Sequence, residues 1–133
     1  MKKIFLTILI IISATVFAQT QTDMNIDSYN QYLKTEKELN LIYKQVLKKY
    51  SSNTLFIKKL KISQNYWIKF RDAEIEARFP EEDKQFNYGS VYPMCVNAFV
   101  EEKTKIRIKE LKVWLYGEDD GNPCSGSVNQ IIK

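Results

Sequence analysis

Apolar side chains recur every three to four positions over two long segments, about Ile26–Tyr50 and Thr54–Phe79. Both segments are rich in Lys, Glu, Leu and Ile, and neither holds a glycine or a proline, so both read as amphipathic helices. Between them "YSSN" is a short polar connection, which predicts an antiparallel hairpin. "PEEDKQFNYGS" contains the first proline and the first glycine of the chain and reads as a loop. Ser90 is the expected N-cap of a third helix over about Val91–Leu115, with Pro93 tolerated in its first turn. Its apolar residues fall on two arcs. One carries Val91, Cys95, Phe99, Ile106 and Val113; the other carries Val100, Ile108, Leu111 and Leu115. A helix apolar on two sides touches two neighbours, so the hairpin is expected on one side and the tail on the other. The tail, "GEDDGNPCSGSVNQIIK", holds three of the four glycines and is expected to be irregular.

Polar residues interrupt the apolar faces. On the second helix Phe56, Leu60, Trp67, Phe70 and Ala77 lie opposite the polar face of Lys58, Lys61, Asn65, Lys69, Asp72 and Glu76, yet Gln64, Arg71 and Glu74 share or border the apolar arc. On the first helix Tyr29, Tyr32, Leu33, Leu39, Tyr43, Leu47 and Tyr50 make the apolar face, with Glu36 and Asn40 inside it. Folding the hairpin at Ser51–Asn53 sets residues level when their numbers sum to roughly 105, within about a turn. Glu36 then meets Arg71, and Asn40 meets Gln64. A buried guanidinium requires a carboxylate partner, and its fork can bond two oxygens. The expectation is a structural polar seam of Glu36, Asn40, Gln64, Arg71 and Glu74, roofed by Trp67, with Asp72 an outward surface charge. A paired-carboxylate acid/base site using Glu36 and Glu74 is the competing reading. It is disfavoured because Arg71 between them would keep both ionised, whereas a general acid needs a raised pKa.

The N-terminus changes how much of the chain folds. Lys2 and Lys3 precede an apolar run over Ile4–Ile12 and a small-residue site ending at Ala18. That is a signal-peptide pattern, too short for a span of about 20 apolar residues. The expected organisation is a leader at 1–18, a helical domain at 19–116 and an irregular tail at 117–133. The mature form would have no membrane span and would be periplasmic or secreted. Losing Lys2 and Lys3 lowers the net charge from +4 to +2. Acidic residues are interleaved with the basic ones along the chain, which argues against nucleic-acid binding. There is no histidine, hence neither the commonest general base nor the commonest metal ligand, and no glycine-rich phosphate loop. No enzyme, metal or cofactor is expected.

Cys95 and Cys124 are the two cysteines. Export and an even count favour a disulfide; free thiols or an intermolecular bridge are the alternatives. An unbroken third helix to Tyr116 would put Cys95 about 31 Å from its end, and the eight residues from there to Cys124 reach at most about 28 Å. With about 5.5 Å across the bridge, closure requires the tail to double straight back or the helix to stop early. The expected fold is therefore all-α: a small bundle of three long helices, the first two an antiparallel hairpin, with a disulfide-tethered tail.

Two acidic clusters, Glu81-Glu82-Asp83 and Glu118-Asp119-Asp120, offer a negative rim to a cationic protein partner. Tyr88, Tyr92, Trp114 and Tyr116 are candidates for an exposed aromatic patch on an envelope structural or assembly module.

"ELNLIYKQVLKKY", "QNYWIKFRDAE", "GSVYPM" and "TKIRIKEL" together resemble the lysozyme inhibitor LprI-like family over about Met24–Leu111. The combination of Leu39-Asn40, Tyr43, Gln64, Trp67, Arg71-Asp72, Gly89-Ser90, Pro93-Met94, Thr104, Arg107 and Leu111 carries the likeness. The resemblance implies an exported α-helical domain and a candidate inhibitor of lysozyme, and it identifies no inhibitory residue. The family usually has Cys where this chain has Asp27, Ile75 and Phe99. A packed contact between helices two and three would then replace a bridge, with Cys95 and Cys124 as a relocated staple.

Overall fold

The computed structural model describes the backbone of residues 2–117 and 123–128 and the side chains of residues 20–117 and 123–128. Four helices follow one another: α1 (Lys2–Lys49), α2 (Thr54–Arg78), α3 (Lys84–Tyr88) and α4 (Tyr92–Tyr116). No strand occurs among the described residues. The expected leader and its cut at Ala18 lie outside the described side chains, and α1 begins well upstream of the expected Ile26.

Local chemistry sets each boundary. Asn53 caps α2 by accepting from the Phe56 N–H at 3.0 Å, as a side-chain oxygen does for an otherwise orphaned donor. The loop expected after α2 contains a short helix instead. Asp83 caps it, accepting from Phe86 N–H at 2.9 Å, and Gly89 ends it at φ 69°. Ser90 is not the cap of α4. The cap position is Val91, without a side-chain hydrogen bond, and the Ser90 carbonyl instead accepts from Asn25 Nδ2 at 2.9 Å. At the far end Lys49 Nζ donates to the carbonyls of Trp114 (3.0 Å) and Leu115 (2.8 Å). A cation there satisfies terminal carbonyls and complements the helix dipole.

The cross-helix bonds fix the register. Asn97 Nδ2 donates to Ser28 Oγ at 3.1 Å, Thr104 Oγ1 to Glu36 Oε1 at 3.2 Å, and Lys112 Nζ to Glu38 Oε1 at 2.8 Å. Partner numbers rise together, so α4 runs parallel to the second half of α1. α2 runs antiparallel to both: Arg71 meets Glu36, and one groove is lined by Asn40, Tyr43 and Leu47 opposite Ile68, Gln64 and Lys61. The hairpin sum is thus about 107, as the Glu36–Arg71 pair gives.

α4 approaches α1 most closely, while α2 stands farther out. The residues explain this. Thr35, Val46, Val100 and Thr104 are small and buried on the α1–α4 seam, whereas α2 presents Phe56, Gln64, Trp67 and Arg71. The core is Leu39, Ile42, Val46, Tyr50, Leu60, Ile108 and Leu111, each apolar side chain contributing about 1.5–3 kcal/mol when fully buried. The buried stripe of α1 runs through Thr35, Leu39, Ile42, Val46 and Tyr50, turned away from the expected face, so that Tyr29 and Asn40 are exposed.

Three other expectations fail. Of the first arc on α4, Val91 and Ile106 are exposed and Cys95, Phe99 and Val113 half-buried. Phe70 and Ala77 of α2 are exposed rather than core. Cys95 and Cys124 are not joined by a disulfide. The tail turns back at the end of α4, where Trp114 Nε1 donates to Ser127 Oγ at 3.1 Å and Val128 is buried. Cys95 sits in the first turn of α4, about 29 Å away along the helix. The tail's own small anchor, not a staple, decides where it lies.

Candidate functional site

The polar seam assembles on three helices rather than two. From α2, Arg71 Nη1 donates to Glu36 Oε1 on α1 at 2.8 Å, and Thr104 from α4 donates to the same oxygen. Arg71 also binds its neighbour Asp72, Nε to Oδ1 at 3.0 Å. Asp72 is exposed as expected, yet it shares the guanidinium. Both Arg71 and Glu36 keep a little solvent contact, at 13% and 22% side-chain exposure, so the pair is shielded without being sealed.

Trp67 stands between two guanidinium groups. Arg71 Cζ lies 5.2 Å from its ring and Arg107 Cζ 5.9 Å, within range of cation–π attraction. Arg107 is buried. Its Nε donates to Gln64 Oε1 at 3.0 Å, Nη1 to Glu110 Oε2 at 2.9 Å and Nη2 to Ser63 Oγ at 3.3 Å. Gln64 therefore pairs with α4 and not with Asn40. Asn40 is exposed and donates back to the Glu36 carbonyl at 3.0 Å, outside the seam. Glu74 does not share Arg71 either. Its Oε2 lies 2.5 Å from Lys103 Nζ, an ionic approach without hydrogen-bond alignment.

Thr104 and Arg107 are the seam members that the apolar pattern missed. Their signal was spacing: Val100, Thr104, Ile108 and Leu111 step by three and four, and Arg107 sits on the same face. The seam also shapes nearby groups. Burial, and secondarily the Glu36 charge, push the Tyr32 phenol above its usual 10.0. Burial raises Tyr43 as well, against the opposing pull of Arg107.

Glu36 is met by Arg71 and the Thr104 hydroxyl, and Glu74 by Lys103. Among the described residues no group of His, Cys, Asp and Glu is placed to hold a metal ion. Ile75 and Phe99 are half-buried, and the Phe99 ring is met from α2 by Arg78 Cζ at 4.7 Å.

The surface is polarised by charge. On one side of the Glu36–Arg71 level, residues 20–34 and 70–102 carry ten acidic and four basic side chains. On the other, residues 35–69 and 103–117 carry thirteen basic and three acidic. Charges are thus segregated in space. Several of the cations are engaged within the fold: Arg107 in the seam, Lys49 at the end of α4, and Lys103, Lys105 and Lys112 on Glu74, Glu101 and Glu38. Glu81, Glu82 and Asp83 lie on the acidic pole and are exposed, although Asp83 is also a helix cap. The second expected cluster, Glu118, Asp119 and Asp120, lies outside the described residues. Beside the acidic loop, Tyr88 and Tyr92 stack at 5.7 Å between centroids, and Phe79 meets both edge-to-face at 5.2 Å. Trp114 and Tyr116 lie at the opposite pole, so the four expected aromatics make no single patch.

The family's sequence model matches residues 13–111. The chain belongs to the lysozyme inhibitor LprI family. No curated protein and no solved structure matches it. The residues that build the seam, from Glu36 to Arg107, all fall within the LprI match, which places the brace inside the family domain. Among the described residues no helix is long and apolar enough to cross a membrane.

Proposed function

We propose that this LprI-family protein is an exported, non-enzymatic binding protein that inhibits a lysozyme and meets it with its acidic pole. Family membership carries the reading. The charge arrangement supports the choice of face: lysozymes are typically cationic, and a negative pole steers a cationic partner and raises its association rate. Export, with cleavage near Ala18, belongs to the same proposal and follows from the basic, apolar and small-residue order of residues 2–18.

Glu81 and Glu82 are the contact residues of choice. Asp83 serves the fold first. The seam of Glu36, Gln64, Trp67, Arg71 and Arg107 holds the helices in register behind this face and takes no direct part.

The test is a lysozyme activity titration with purified protein, alongside Glu81→Lys/Glu82→Lys. The wild type should inhibit, and the double variant should associate at least about ten-fold more slowly at low salt, the gap closing as salt rises. Full lysozyme activity at a large molar excess of wild type would remove the inhibitor reading. The alternative, an envelope assembly module binding another exported protein, would then be favoured by the exposed apolar residues of α2.

A further inference from the structure

α2 carries large apolar side chains on a face that the described residues leave uncovered. Leu55 is 67% exposed, Ile62 43%, Tyr66 67% and Phe70 57%. At about 100° per residue, these four form one stripe together with Lys59, Ala73 and Ala77. Phe56, Leu60, Gln64, Trp67 and Arg71 point toward α1 and α4, so the stripe lies about a third of a turn away from the packed face.

The stripe is complementary to itself in reverse. Setting two copies of α2 antiparallel about a two-fold axis at Tyr66 pairs residues whose numbers sum to 132. Tyr66 then meets Tyr66 of the other copy, Ile62 meets Phe70, Lys59 meets Ala73 and Leu55 meets Ala77. All seven stripe positions pair with stripe positions. Large residues meet small ones at the ends, where Ala73 and Ala77 leave room for the Lys59 stem and for Leu55.

Charge agrees with the same alignment. From Thr54 to Arg71, α2 has five basic residues and no acidic one, and Asp72, Glu74 and Glu76 follow. Reversal sets the basic half of each helix against the acidic half of the other. On the flank of the stripe, Lys58 comes within about 3 Å of Glu76 of the second copy along the helix axis, within reach of a lysine side chain. Glu76 gives Oε2 to Lys84 of its own chain at 3.1 Å, which leaves Oε1 for that lysine.

We infer that α2 is the interface of a two-fold symmetric dimer, its occupant a second copy of this chain. The interface is isologous, so it closes at two subunits. A single helix pair belongs to the small class of interfaces, below about 1,200 Å² in total, and the association is weak. The acidic loop 81–83 is no part of the paired stripe, so dimer formation is separable from lysozyme binding.

Sedimentation equilibrium over a concentration series reads the monomer–dimer constant. The wild type should dimerise reversibly, and Tyr66→Glu or Ile62→Glu should weaken the dimer at least about ten-fold, since each buries an unpaired charge. Lys58→Glu and Glu76→Lys should each weaken it, and their combination should restore it. In a Cys95→Ser/Cys124→Ser background, Tyr66→Cys should give a disulfide-linked dimer on mild oxidation. A wild type monomeric throughout, with no Tyr66→Cys crosslink, overturns the inference. So does a dimer indifferent to Tyr66→Glu, which would use another face. Pelleting of the protein with phosphatidylglycerol vesicles, abolished by Tyr66→Glu, would give the stripe to lipid and overturn it as well.

Discussion

Arg71→Ala removes three contacts of unequal worth. The bond to Glu36 is charged, 2.8 Å long and largely shielded, a class that contributes about 1.5–3 kcal/mol. Stacking on Trp67 at 5.2 Å adds about 0.5–1 kcal/mol. The Asp72 contact is exposed and contributes little. Alanine also leaves Glu36 inside the bundle with Thr104 as its remaining seam donor. Glu36 keeps some solvent, so the cost falls below that of a sealed charge. The expected loss is about 3 kcal/mol, or on the order of 15 °C in Tm for a domain this size. Thermal melts followed by circular dichroism measure it, and a cycle with Glu36→Gln separates the pair from the ring stack. The double variant should recover about 1.5 kcal/mol relative to additivity, because removing the charge on Glu36 relieves the stranded carboxylate. A melt within about 2 °C of wild type, or additive single effects, would refute the view of Arg71 as a brace.

Other outcomes follow from the same geometry. Thr104→Val keeps the volume but drops a donor to Glu36, and should cost about 1 kcal/mol by urea denaturation. Arg107→Lys loses the fork that reaches Gln64, Glu110 and Ser63, and should destabilise by about 2 kcal/mol although charge is kept. Reductant should leave the melt unchanged, and thiol titration of the unfolded chain should find both cysteines; a lower Tm in reductant would restore a disulfide. Alkaline titration should destabilise the fold. Tyr32 and Tyr43 have folded-state pKa values raised above 10.0, so the unfolded chain ionises first and stability, complete below about pH 10, falls as pH rises above it. Tyr32→Phe should flatten that fall.

Sequence alone gave much of this architecture because periodicity reports long helices well. The limits of α2, the hairpin at Ser51–Asn53 and the Glu36–Arg71 pair were all legible, since each depends on helical spacing and on the need of a shielded guanidinium for a carboxylate. What failed depended on which neighbour lies on which side. The apolar face of α1 was drawn through its tyrosines for a partner in α2, but the closest partner is α4, which takes Leu39, Ile42 and Val46. Asn40 was swept into the seam by that rotation. Arg107 stands among the residues of the family likeness, but an apolar arc on α4 gives no sign that it joins the seam. The disulfide rested on compartment and count, which say nothing about the direction of the tail; Ser127 and Val128 settle that by docking at Trp114. Charge segregation is only half visible along the chain: residues 39–71 hold no acidic side chain, but the reversal at Ser51–Asn53 is what sets that basic block beside the basic end of α4.

Amide hydrogen exchange of the protein with and without lysozyme reads the contact face directly. The acidic-pole account predicts slowed exchange over 79–92, the segment that carries Glu81 and Glu82, and none over the first three turns of α2. Protection confined to Thr54–Tyr66, or no protection anywhere at saturating lysozyme, would contradict it.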